Sequence, residues 1–182
     1  MSERFAAFDP DTLSPEAKGV YDRIMRERGY LPGPYRFWLA SPDFADRVEP
    51  VEDFLRHGVA LDERQVEIVV LVAARYWKSQ YVWASHADAA AKTGVEPAVI
   101  EAIRTNDEPV FGRAKDSACY TLSRALLVSR GVDDSVWAMT RELLGERRVN
   151  ELLGLLGLYT AVCLTMIAYR VPAKGGGPDP LE

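Results

Sequence analysis

From Leu152 to Tyr169 the chain carries no charged residue. A run of that length, wound as a helix, sits at the edge of what can cross a bilayer. It must therefore span a membrane or form the centre of a helical bundle, since a helix apolar all round has nowhere else to go. Gly154, Gly157, Thr160 and Thr165 dilute the run, and it stands alone in a chain otherwise patterned as soluble. The reading is a core helix, with no membrane as a partner.

Helix punctuation recurs along the rest of the chain. Ser14-Pro15-Glu16 supplies a cap residue, a proline at the first helical position and an acid in the first turn, and Gly29 marks the stop. Leu31-Pro32-Gly33-Pro34 redirects the chain. Ser41-Pro42-Asp43 starts again, and Pro50 predicts a kinked or two-piece helix ending near Gly58. Asp62 opens a helix whose Val66, Val69, Val70 and Ala73 recur at helical spacing, carrying on through Trp77. Further helices are expected around His86 up to Gly94, from Glu96-Pro97 to Ile103, from Pro109 to Arg130, from Asp133 or Asp134 to Gly145, and from about Arg148 to Arg170.

The expected architecture is all-α, a bundle of about seven to nine helices by these start and stop signals, with little or no sheet. One domain should cover residues 1–172. Residues 173–182, with three successive glycines and two prolines, read as a flexible tail, and Leu181-Glu182 as an expression-vector remnant. The amino terminus has no apolar signal core, which points to the cytoplasm.

Composition narrows the partners. The net charge of -5 offers no basic footprint for nucleic acid, and Arg147-Arg148, set among acids, read as a solvated helix face. Cys119 and Cys163 form no Cys-x-x-Cys pair and have no histidine at metal-ligand spacing, so they read as small core hydrophobes. No metal and no cofactor is expected.

Two residues break the apolar pattern. Glu67 stands inside the run Ile68 to Ala74 extends, and burying its carboxylate costs several kcal/mol unless it is paired, on the order of 2–7 for a polar group alone. His86 is one of only two histidines. Ser79, Val82 and His86 share one face of a helix, but Glu67 would lie about five turns from His86 on a continuous one. Contact therefore requires a break or hairpin between them. By itself, a histidine beside aromatic residues is more often a satisfied core or surface group than a catalyst. His57, beside Arg56 and before Gly58, reads as a structural residue meeting a helix carbonyl end.

The run from Glu67 through Ser79, Val82 and His86 to Gly94 resembles the AhpD-like superfamily pattern of Glu, Cys-x-x-Cys and His followed by small residues and a glycine stop. Glu67 and His86 occupy the Glu and His positions; Ser79 and Val82 stand where the two cysteines would be. Arg28-Gly29-Tyr30, Gly33-Pro34-Tyr35, Ser41-Pro42, Ala74-Arg75, Trp83 three residues before His86, Gly157-Leu158-Tyr159 and Arg170-Val171-Pro172 are similar to the thiol-less carboxymuconolactone decarboxylase branch, over about residues 3–173.

That resemblance implies a homo-oligomer, trimer or hexamer, and a cofactor-free lyase or isomerase acting on a small carboxylated or lactone-type compound from aromatic catabolism. His86 would be the general acid/base, Glu67 its orienting or relaying partner, and Ser79, Tyr81, Val82 and Trp83 pocket residues, Trp83 equally a core residue. Two departures qualify it. The missing thiols remove peroxide chemistry at positions 79 and 82, and Val82 replaces a glutamate common in the decarboxylase branch. A non-catalytic ligand-binding or scaffolding protein remains the alternative. A peroxidase survives only if Cys119 or Cys163 is exposed with a lowered pKa.

Overall fold

The computed structural model describes residue 4, residues 8–173 and residues 180–181. Among these residues there are eight α-helices and no strand. A 3₁₀ turn at Pro10–Thr12 leads into α1 (Pro15–Arg28). There the Ser14 hydroxyl accepts the Ala17 N–H at 3.2 Å, and Gly29 closes the helix at φ 75. Short α2 (Tyr35–Trp38) precedes α3 (Pro42–Asp53). Pro50 lies inside α3, where it cannot donate a helical hydrogen bond. The chain then widens into a π-helical turn, Phe54–Gly58, giving the expected two-piece helix.

The centre of the molecule is α4 (Glu63–Trp77). Asp62 and Gln65 form a capping box at its start, and every residue from Arg64 to Ala74 is buried. It packs against α5 (Gln80–Lys92), α6 (Pro97–Thr105), α7 (Ala114–Arg124) and α8 (Asp134–Ala168). Burial on all sides forces its polar residues to find partners. Arg64 Nε meets Asp116 Oδ2 at 2.7 Å, and the Gln65 amide donates to Asp116 Oδ1 at 3.3 Å, tying α4 to α7.

The helix α8 is broken at Gly145 (φ 75, ψ 161), as expected from the stop signal there. Its second half is the uncharged run. Leu152, Leu155, Leu156, Tyr159, Val162, Cys163 and Met166 are buried in the common core, while Leu153, Leu164 and Ile167 face outward. By length and composition alone α8 could cross a membrane, with a mean hydropathy of 1.8 over its most apolar 18 residues. Its inner face instead completes the bundle, and full burial of each leucine contributes about 1.5–3 kcal/mol. The threonines in the run have partners. Trp38 Nε1 donates to Thr165 at 3.0 Å and Trp77 Nε1 to Thr160 at 3.3 Å.

Two expectations need correction, and a third, the tail over residues 173–182, is described at only three of its residues. Residues 109–113 are not helical; α7 begins at Ala114, after Arg113, which is extended and caps the helix with no side-chain hydrogen bond. Arg148 is not part of a solvated face: it is half-buried, and its Nε donates to the Ala60 carbonyl at 2.7 Å. The loose tail falls on residues 174–179 and 182, outside the described residues. Leu181, however, is buried, with its N–H on Gln80 Oε1 at 2.9 Å.

Candidate active site

The break that the sequence required lies at Lys78. This residue takes the left-handed conformation (φ 52), ends α4, and turns the chain so that Ser79 becomes the N-cap of α5. The two helices run back along each other as a hairpin. Glu67 and His86 sit about three and two turns from that break, on the facing sides. Glu67 Oε2 and His86 Nδ1 are 2.8 Å apart.

Two residues not singled out as site residues complete the cluster. Arg56, from the π-helical turn, donates through Nη2 to Glu67 Oε1 at 2.8 Å, so each carboxylate oxygen has its own cationic or N–H partner. Tyr159 of α8 places its hydroxyl 3.3 Å from His86 Nε2, with its ring edge-on to the imidazole at 5.1 Å. The Arg56 guanidinium also lies over the Tyr159 ring, 5.8 Å from its centre. Four elements thus contribute one side chain each to a chain of polar contacts running Arg56, Glu67, His86, Tyr159.

Burial alone would raise the Glu67 carboxyl, which is 3% exposed. The hydrogen bonds and charges of His86 and Arg56 outweigh that effect and hold it below the usual carboxylate range. Facing an ionised carboxylate, His86 Nδ1 carries the proton, and in the neutral ring Nε2 accepts from the Tyr159 hydroxyl. Burial pushes the Tyr159 phenol well above its ordinary value, so it remains a donor. The arrangement can take a proton on Nε2 and stabilise the resulting imidazolium against Glu67.

The other sequence-selected residues are spread around this cluster. Val82 and Trp83 are buried in the core. Tyr81 is half-buried and lies against Gly33, where an added Cβ would approach Tyr81 Cζ to 2.8 Å; only glycine permits that approach. Ser79 is buried at the head of α5 and borders an open cleft of about 380 Å³ that His86 does not line. His57 is exposed and takes no part.

Both thiols are buried, and burial pushes each up to about 12. Among the described residues no group of three or more His, Cys, Asp or Glu is placed to hold a metal.

Arg56 was legible only indirectly. An acid within an apolar run demands a cation, and Arg56 is the arginine of the preceding segment. Tyr159 left a similar trace, since a tyrosine in a buried helix needs a partner for its hydroxyl.

No protein-family profile and no curated protein matches the sequence. Solved structures do match in fold. A peroxidase-related protein from Silicibacter sp. TM1040 superposes with a TM-score of 0.72 at 13% identity, over 93% of this chain and 91% of that one. An AhpD-core, peroxidase-related protein from Ralstonia eutropha JMP134 gives 0.74 at 11% identity, over 98% and 94%. The chain has the AhpD-like fold.

Proposed function

We propose that the protein is a cofactor-free lyase or isomerase that moves protons on a small carboxylated or lactone-type compound. The observation that carries this reading is the buried Glu67–His86 contact with the Tyr159 hydroxyl on the opposite ring nitrogen. In the forward direction a substrate C–H or O–H proton passes to the Tyr159 oxygen as the Tyr159 proton passes to His86 Nε2. The phenolate need never form, which suits a phenol whose pKa is raised. The imidazolium then returns the proton by the same route to an enolate carbon, whether that enolate arose by deprotonation or by loss of carbon dioxide. Transfers of this kind contribute about 10²- to 10⁴-fold to a rate.

The names of the structural neighbours favour a peroxidase instead. That chemistry needs a thiolate, and with Ser79 and Val82 in the hairpin the remaining thiols are buried and held protonated. A second reading, ligand binding without turnover, is favoured by the described clefts, none of which is lined by His86. The outward Leu153, Leu164 and Ile167 of α8 suit an interface between copies of the chain, and we read it as a cytoplasmic homo-oligomer.

The test is His86→Gln, assayed for proton exchange and decarboxylation on lactones and β-keto acids. Activity should fall by at least about a hundredfold with helicity intact. Undiminished rates remove the acid/base reading. A compound that binds tightly and is recovered unaltered from the wild type selects the binding reading.

A further inference from the structure

A small cleft of about 40 Å³ opens where α4, α6 and α7 meet. Its floor is apolar, since Val72 of α4 and Ile103 of α6 are both buried. Val72 and Tyr76 leave α4 roughly 140° and 180° around its axis from Glu67, on the far side of that helix. None of Arg56, Glu67, His86 and Tyr159 lines the cleft.

Two arginines border this apolar floor from neighbouring helices, Arg75 of α4 and Arg124 of α7. Both are half-buried, and neither makes an ion pair among the described residues. Elsewhere the fold matches such cations: Arg28 meets Glu49, Arg56 meets Glu67 and Arg64 meets Asp116. No acid lines the cleft. Glu108, whose charge is felt by the Tyr120 phenol, is exposed and stands outside the lining. Two like charges sharing one cleft raise each other's energy, and an anion between them reverses the sign. Arg75 Nε is closed off from solvent without a hydrogen-bond partner, so the open end of this guanidinium is its Nη groups. Burial pushes the Tyr120 phenol up, which keeps it an O–H donor in the same wall. Just beyond Arg124 the chain widens into a second π-helical turn, Ala125–Ser129, and Val128 of that turn stands exposed on the rim. Turns of this kind are frequent at functional sites.

The size selects the ligand group. At roughly 10–15 Å³ for one water, the cleft has room for about three such atoms, which suits a flat carboxylate better than a tetrahedral phosphate. Arginine also binds carboxylates in a planar, two-pronged manner. We infer that the cleft between Arg75 and Arg124 is a binding site for the carboxylate of a small aliphatic acid. The two guanidinium groups hold the carboxylate, the adjoining carbons lie on Val72 and Ile103, and the remainder leaves between Tyr76 and Val128. This is a second ligand site, and it does not depend on proton transfer at His86.

Amide NMR of the full chain tests this, with butyrate, 1-butanol and inorganic phosphate titrated separately at constant ionic strength. Butyrate at millimolar concentration should give saturable shifts centred on Tyr76, Ile103 and Val128; butanol and phosphate should not. Arg75→Gln and Arg124→Gln should each weaken butyrate at least about tenfold, the loss of a charge-assisted hydrogen bond. Neither variant should melt lower than the wild type without ligand, because each also removes a like-charge repulsion. Arginines that serve packing alone give the reverse pattern, a lower melting temperature and no saturable shifts, and that result overturns the assignment. So do butyrate shifts centred elsewhere, phosphate binding as tightly as butyrate, or undiminished affinity in both variants.

Discussion

Replacing Glu67 by Gln removes a charge and keeps the shape, which makes it a clean probe of the cluster. In the wild type two N–H donors converge on one carboxylate, Arg56 Nη2 and His86 Nδ1, each at 2.8 Å. The amide offers one acceptor and turns an NH₂ toward the other donor. Arg56, with 17% of its side chain exposed, loses its counter-charge. Breaking a buried pair by removing one partner costs about 3–5 kcal/mol, and the partial exposure of Arg56 and His86 places this case near about 3. At roughly 3 °C per kcal/mol for a chain of this size, the melting temperature should fall by about 9 °C at pH 7. The pH dependence has a definite sign. Glu67 is held below the usual carboxylate range, so the unfolded chain binds its proton more readily. Its stabilisation is fully present above the ordinary value of about 4.3 and is lost as pH falls through the lower folded value. Urea unfolding at pH 7 and at successively lower pH should therefore show the gap between variant and wild type closing in acid. The double variant Arg56→Met/Glu67→Gln should recover about half of the loss, because the orphaned guanidinium is gone. A pH 7 difference below about 0.5 kcal/mol, the level of an ordinary surface change, would refute the reasoning. So would a larger gap that stays constant into acid.

Other consequences can be checked as directly. Tyr159→Phe should cost about 1 kcal/mol in unfolding free energy for one lost hydrogen bond, yet slow proton exchange about a hundredfold; an unaffected rate takes Tyr159 out of the proton path. With thiols pushed up to about 12, only roughly one in 10⁴ is ionised at pH 8, so a thiol-specific chromogenic reagent should react only on unfolding. Prompt labelling of the native protein, or peroxide consumption abolished by the double Cys→Ser variant, would reinstate thiol chemistry.

The helical punctuation was plain in the sequence because it rests on local chemistry. Ser14-Pro15, Asp62 and the Gly145 stop each act within one turn, and the structure uses all three. Less of the site was visible. The turn at Lys78 carries no residue signal, since left-handed backbone is ordinarily announced by glycine or asparagine, and a lysine there is held by the surrounding packing. Arg56 was masked by an apparent helix end, because a π-helical turn carries the side chain to a neighbour eleven residues on. The Pro109 start failed for the opposite reason: proline permits a helix without requiring one, and the chain stays non-helical up to Arg113. Leu181 is a tertiary fact, fixed by Gln80 from a distant helix.

Glu67 is seated about a third of the way along the helix against which α5, α6, α7 and α8 all pack. A shift of that acid by an ångström would have to drag Val66, Ile68 and their packing with it. Variation is therefore left to exposed positions of the periphery, such as Arg170, which can change without disturbing the keel.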